Sequence, residues 1–431
     1  MIIILDILTL IISVIILFKV RKCKMNSILL GLLIFDIAYV MPILFQMFLG
    51  YPKIGYYGFK LAIDDTLTCI VYDIFVIVVQ LIYYQYIRKT KNKKEYKKIE
   101  NINLIEKIER KRLKLRKSKI LFLASTFFML APVFAWLFAP DPLIYFKGLG
   151  VFTMNNVTTT TIDYNYFINV VKYCNYIGAI AIILSKFIDT NDNKILKINR
   201  GIILAIITIL NGKRTFFAFI ILALLAIDMF SNKTQKEKMI RAICTSIIIF
   251  GYFIIYAYVS GKSEYNSNWY SVISEYFFRG NTTKVAIYSV LNPDKLKILD
   301  YNGQSVLYNL LFFIPRSIWN SKPYQYPMYF TSGVFGFKEL TTVGWYFQTG
   351  LYGEMISNFG LLGILIGPIF IRIMGKISDR SRSLIVTFLG TAFICFIQVF
   401  EYSDMFKVLF LLWIILALKD RVLKKKEEKN E

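Results

Sequence analysis

Long apolar runs separated by polar connections dominate the chain, and their lengths set the first reading. Eleven runs are candidates for membrane-crossing helices: 2–18, 27–49, 66–87, 120–138, 166–188, 201–210, 215–230, 242–259, 355–373, 383–399 and 405–418. A hydrocarbon core of about 30 Å takes roughly 20 helical residues, and basic side chains reaching for the surface let shorter runs suffice. The first run has neither a basic segment before it nor a small-residue cleavage signal after it, so it is read as a retained span rather than a signal peptide. The predicted class is an all-α polytopic membrane protein of about 11 transmembrane helices.

Two short runs meet at Asn211-Gly212-Lys213-Arg214-Thr215, which poses a question of topology. Either residues 201–230 form one broken span with two cations at midplane, or the chain turns there and presents them at one membrane face. The other charges decide. Basic residues gather at Lys19, Arg21, Lys22 and Lys24, along 88–119, at Lys194, Lys197 and Arg200, from Lys233 to Arg241, from Arg372 to Arg382, and in the tail from Lys419. With eleven spans all six clusters fall on one side, which the positive-inside rule makes cytoplasmic, leaving the N-terminus outside and the C-terminus inside. A single broken span would put the last three clusters on the wrong side. Residues 201–230 are therefore expected to form a hairpin with Asn211 and Gly212 supplying turn chemistry. Ten helical residues reach only about 15 Å, so its tip is expected below the outer surface, in a cavity of the bundle.

Composition supports this class and removes others. Apolar residues make up 56% of the 431, and the mean hydropathy is +0.53, too high for a soluble globule. The net charge of +24 lies between spans rather than on a soluble basic patch, which argues against nucleic acid. Five scattered cysteines make no metal or disulfide pattern, and the absence of histidine removes the commonest general base. No metal or cofactor is called for. The stretch LIEKIERKRLKL within 88–119 has a helical apolar pattern, but a solvated, topology-setting loop is the simpler reading.

Chemistry is therefore sought in the predicted outer connections. Residues 1–259 carry eight predicted helices, 260–353 form one large extracytoplasmic loop, and 354–431 carry three more helices and the basic tail. The first outer connection holds Asp64 and Asp65, and the second, 139–165, a run of threonines. The large loop mixes aromatics with cations, among them Arg279, Lys284, Arg316, Trp319 and Lys322. Within it, SVLYNLLFFIPRSIW is apolar but broken by Pro315, which predicts a re-entrant or interfacial helix. Cations flanked by apolar sequence, Lys213 with Arg214 and Arg316 with Lys322, are costly to desolvate and are commonly functional; headgroup snorkelling is the bland alternative. Beside aromatic rings they suit a pyrophosphate-linked glycan, since Arg forks onto phosphate oxygens and Lys adds a point charge. Glu354 opens a span, where the helix dipole also favours a carboxylate for structural reasons. Glu264, Glu275, Asp64 and Asp65 are alternative acids.

Taken in order, NGKRT, FIPRSIWNSKP and GEMISNFGLLG resemble the oligosaccharide repeat unit polymerases, the Wzy-type O-antigen and capsule polymerases of bacterial membranes. The resemblance spans about residues 200–375. It implies a GT-C-like bundle in the bacterial plasma membrane and a metal-independent glycosyl transfer at its outer face. The substrates would be undecaprenyl-pyrophosphate-linked oligosaccharides, with membrane lipids, a flippase and a chain-length regulator as partners. Carried onto this chain, it implies catalytic roles for Arg214, Arg316 and Glu354, with Lys213 and Lys322 holding pyrophosphate. Arg279, Trp319 and Tyr352 complete the expected substrate-binding set. The related O-antigen ligases use an outer-loop histidine, which this chain lacks. Two alternatives stay open: a lipid-linked oligosaccharide flippase, although no internal repeat is visible, and a GT-C transferase using a polyprenyl-phosphate sugar with Asp64 or Asp65 as its acid.

Overall fold

The computed structural model describes residues 2–92, 119–140, 142, 162–189, 194–211, 214–229, 234–259, 270, 274, 278–340, 346–400 and 404–430, apart from 22, 24, 25, 53, 54, 338 and 382. The described residues are helical wherever they are regular, and no strand occurs among them. In chain order the helices are α1 (Ile2–Val20), α2 (Ser27–Phe35), α3 (Met41–Leu49), α4 (Tyr57–Asp64), α5 (Thr66–Asn92), α6 (Lys119–Met129) and α7 (Ala131–Leu137). There follow α8 (Ile162–Ile188), α9 (Lys194–Asn211), α10 (Arg214–Met229), α11 (Gln235–Val259), α12 (Arg279–Leu291), α13 (Gln304–Leu310) and α14 (Tyr326–Phe335). The last are α15 (Gly350–Phe359), α16 (Gly363–Arg380), α17 (Leu384–Ile397) and α18 (Asp404–Asn430). Six stretches of the described residues are long and apolar enough to cross a membrane: Ile2–Val20, Ser27–Leu49, Thr66–Lys89, Ile120–Leu137, Asn169–Ile188 and Gly350–Arg380. The chain is thus a helical, membrane-embedded protein.

The helices fall into two compact units, one made of Met1–Lys94 and Asn266–Glu431, the other of Glu95–Tyr265. In the second unit, ion pairs settle the hairpin question. Arg200 at the start of α9 donates to Asp189, just past the end of α8, at 2.9 Å. Asp228 near the end of α10 pairs with Lys186 in the last turn of α8 at 3.5 Å and with Arg241 near the start of α11 at 2.8 Å. The start of α9 and the end of α10 therefore sit at the same end of this unit. The two helices run antiparallel, as the charge pattern requires, and one broken helix is excluded.

In the first unit, Asn26 caps α2 by accepting the Leu29 N–H at 2.8 Å. Between α2 and α3 lies a π turn, Asp36–Val40, directly before Pro42. Proline has no N–H to offer the carbonyl four residues back, and the widened turn absorbs that lost bond. Asp65 lies between α4 and α5 and caps α5 by accepting from the Thr68 N–H at 2.9 Å and hydroxyl at 2.6 Å. This gives Asp65 a purely structural occupation.

The segment expected as an outer loop has a core of its own. Phe59 and Ala62 of α4, Val285 and Tyr288 of α12, Tyr326, Phe330 and Val334 of α14, and Phe347 form one buried apolar cluster. Helix α12 is buried nearly throughout, polar residues included, and packs against α4, α5 and α15. The helix expected across Pro315 is only α13, seven residues and about 10 Å long, and it ends five residues before that proline. That is too short to enter and leave a membrane. Leu310, Phe313 and Ile318 are exposed beside it, an apolar edge of the kind that sits at a bilayer interface.

Helix α15 opens at Gly350 with φ of +70°, and a Cβ there would lie 2.5 Å from the Gln398 carbonyl oxygen. Both features demand glycine. Gly350→Ala is expected to cost about 1–3 kcal/mol of stability, measured by thermal unfolding in detergent.

Candidate functional site

Glu354 and Asn358 stand four residues apart on α15, and Ser305 and Asn309 four apart on α13. This spacing puts each pair on one helix face. Glu354 Oε1 accepts from the Ser305 hydroxyl at 2.8 Å and from Asn309 Nδ2 at 2.7 Å. Asn358 Nδ2 donates to the Ser305 hydroxyl and to the Glu354 carbonyl, both at 2.7 Å, and its Oδ1 accepts the Ser305 N–H at 3.2 Å. The two helices are stapled by four polar side chains around a carboxylate that is 3% exposed. Its second oxygen, Oε2, makes no hydrogen bond among the described residues.

Two cations meet on the same short helix. The ring of Tyr308 in α13 lies 5.0 Å from Lys322 Nζ and 4.3 Å from Lys407 Nζ, the latter from α18. Both lysines are buried. Lys407 is also close enough to Glu354 to attract it electrostatically. Lys322 Nζ donates to the carbonyls of Phe312 at 2.7 Å and Ile314 at 2.8 Å, so it shapes the turn around Pro315 as well. Arg316 closes the other side of that turn. It donates to the carbonyls of Lys322 at 2.6 Å and Pro323 at 2.8 Å and lies 3.7 Å from the Tyr324 ring centre. Burial raises the phenols of Tyr326 and Tyr329, which stay neutral; the Tyr326 hydroxyl donates to the Gly353 carbonyl at 3.1 Å, steadying the residue before Glu354.

The structure thus brings Lys322 and Glu354 to one helix, with Arg316 on the adjoining turn. Other expected residues lie elsewhere. Tyr352 is fully buried, its hydroxyl 2.5 Å from that of Tyr83 and 2.8 Å from Gln398 Oε1, so it is a core residue with no surface to offer a substrate. Arg279 is 1% exposed and its Nε donates to the Val399 carbonyl at 2.5 Å, a clamp on the connection before α18. Trp319 donates to the Ser321 hydroxyl at 2.9 Å within the Pro315 turn. Lys213 and the side chain of Arg214 lie outside the described residues.

Sequence reading passed over Lys407, Ser305, Asn309 and Asn358. A lone cation in the apolar run 405–418 was the available signal for the first. For the others it was the matched four-residue spacing of polar side chains. A separate buried cation, Lys284 of α12, donates to Gln46 Oε1 at 3.0 Å and lies about 5 Å from the rings of Tyr51 and Tyr72. Nearby on α5, Asp73 is buried beside the carboxyl of Asp6. Groups of acids or cysteines able to hold a metal are absent among the described residues.

Asn358→Ala removes two hydrogen bonds of the staple and one within α15. It is expected to cost about 1–3 kcal/mol and to speed amide hydrogen exchange across 304–310, read by mass spectrometry.

Compared with protein-family models, curated proteins and solved structures, the chain matches none.

Proposed function

We propose that the chain is a polysaccharide polymerase of the bacterial plasma membrane, joining undecaprenyl-pyrophosphate-linked oligosaccharide repeat units at the outer face by metal-independent glycosyl transfer. In this reading it has about 11 transmembrane helices in a GT-C-like bundle, with the N-terminus outside and the C-terminus cytoplasmic. The observation that carries it is the convergence of Lys322, Lys407 and Glu354 on α13. With Arg316 on the adjoining turn, three cations and one carboxylate leave a net charge of about +2, matched to a diphosphate diester. The two lysines are buried, and positive charge held in low dielectric stabilises charge developing on a leaving group far better than water does.

The step is a substitution at the anomeric carbon of the donor. The acceptor O–H bond and the bond from anomeric carbon to diphosphate oxygen break; the new glycosidic C–O bond forms. Diphosphate departs with the electron pair beside the lysines, and Glu354 takes the hydroxyl proton through Oε2. Lys213 and Arg214 stay in the proposal through the resemblance alone, as further diphosphate ligands, and a flippase and a chain-length regulator stay as partners.

The test uses the purified full chain in proteoliposomes with lipid-linked repeat units in the outer leaflet. A ladder of elongated glycan is expected. Transbilayer movement of the substrate without elongation would instead identify a flippase, and the absence of both elongation and movement would overturn the reading. Arg214→Ala, assayed in parallel, is expected to shorten the ladder.

A further inference from the structure

Beside the turn at Pro315, on the opposite edge from Glu354, is an open cleft of about 320 Å³. This is the low end of the size range for small-ligand sites. Its lining joins Asp300, Tyr301, Asn320 and Tyr324 to the two cations Arg316 and Lys322, with the buried Gln304 and Tyr329 as its floor. The floor is rigidly set. Gln304 Oε1 accepts the Asp300 N–H at 2.8 Å, and Gln304 Nε2 donates to Asp300 Oδ2 at 2.9 Å and to the Tyr329 hydroxyl at 3.0 Å. That hydroxyl also accepts the Tyr324 N–H at 3.1 Å. The rim, by contrast, is open: Tyr301 is 50% and Tyr324 38% exposed, and Asp300, Asn320 and Ser321 are exposed as well.

Both cations are partly engaged by the turn around Pro315. Arg316 directs two N–H groups to the carbonyls of Lys322 and Pro323, and Lys322 turns its ammonium to the carbonyls of Phe312 and Ile314. The exposed Asp300 carboxylate shares the lining with them and accepts from hydroxyls. Planar carboxylate, amide and phenol groups around exposed rings match a ligand whose edges are hydroxyls and whose faces are C–H.

We propose that this cleft is a carbohydrate-binding subsite that takes lipid-free sugar rings of the acceptor glycan. The assignment rests on the polymerase reading for the word acceptor. Helix α13 places the subsite next to the reacting groups, because Gln304 in the floor is one helical turn, about 5.4 Å, from Tyr308 under the two lysines. A glycan bound here has its far end anchored while the reacting hydroxyl faces Glu354, which converts part of the reaction's entropy cost into binding.

The experiment measures saturation-transfer NMR on the full chain in lipid nanodiscs. The probe is a set of oligosaccharides of one to three repeat units, cut from the native cell's surface polysaccharide and freed of lipid and phosphate. Wild-type protein is expected to bind them, Tyr301→Ala and Asn320→Ala to bind roughly tenfold more weakly, and Tyr301→Phe to bind normally. Both alanine variants change exposed side chains, so folding is not at issue. Absence of saturation transfer or equal binding by the alanine variants overturns the subsite. Binding lost in the variants without any elongation by wild-type protein supports the subsite and sinks the polymerase reading. Elongation by wild-type protein with unaltered binding in the variants does the reverse.

Discussion

Glu354→Gln is expected to leave the protein folded and to lower glycan elongation by about two orders of magnitude or more. The amide oxygen of glutamine still accepts from the Ser305 hydroxyl and Asn309 Nδ2, so the staple between α13 and α15 survives. What disappears is the second carboxylate oxygen, which makes no hydrogen bond among the described residues and is the only part of the group left to accept a proton. Loss of a positioned general base costs roughly 10²–10⁴-fold. A carboxylate kept only to dock two helices would behave differently: its isosteric amide would do the same work, and elongation would stay within a fewfold of wild type. That outcome, in variant protein with an unaltered unfolding temperature, removes Glu354 from the mechanism. Glu354→Asp sharpens the comparison, since the shorter acid keeps its charge but withdraws from Ser305 and Asn309, so stability falls as well as rate.

The membrane character was legible because apolar runs of span length and alternating basic clusters are one-dimensional signals. The antiparallel course of α9 and α10 was legible for the same reason. Its geometry adds the cause: the ends of α8, α9, α10 and α11 are tied by Asp189, Arg200, Asp228 and Arg241, so the helices must alternate in direction. Helix α12 was not legible. Arg279-Gly280-Asn281-Thr282-Thr283-Lys284 has neither apolar periodicity nor helix propensity, and it becomes helical only because α4, α5 and α15 surround it. For the candidate site, the strings around Pro315 and Glu354 named two segments that both meet α13, but they did not reveal that α13 joins them. Tyr352 shows the limit most plainly. One residue before Gly353 and two before Glu354, it faces the opposite side of α15 and pairs with Tyr83 and Gln398 in the core, which a motif read as a string does not separate from its neighbours.

Lys407→Met carries the second large expectation, a loss of about 10²-fold or more in elongation at nearly unchanged stability. Lys407 and Lys322 share the ring of Tyr308 at 4.3 and 5.0 Å, so two like charges are held together in a buried setting. Folding alone does not favour that arrangement, because each ammonium must be desolvated and the pair repels. Methionine keeps the length and the ring contact and removes the repulsion, while Glu354 loses an attractive neighbour; these two changes oppose, and the net shift is expected within about 1 kcal/mol. Under the proposed function the rate has no such compensation, since a departing diphosphate would lose one of the two buried lysines at Tyr308, and removal of a single preorganised charge-stabilising donor costs roughly 10²–10³-fold. Lys322→Met is expected to differ in kind. It strands the carbonyls of Phe312 and Ile314, so about 1–3 kcal/mol of stability goes with the activity. Unfolding temperature plotted against elongation rate for the two variants separates the roles. Should Lys407→Met elongate glycan normally, the two-lysine diphosphate seat is wrong; should it unfold as readily as Lys322→Met, Lys407 is a structural group, and its place above Tyr308 reflects packing.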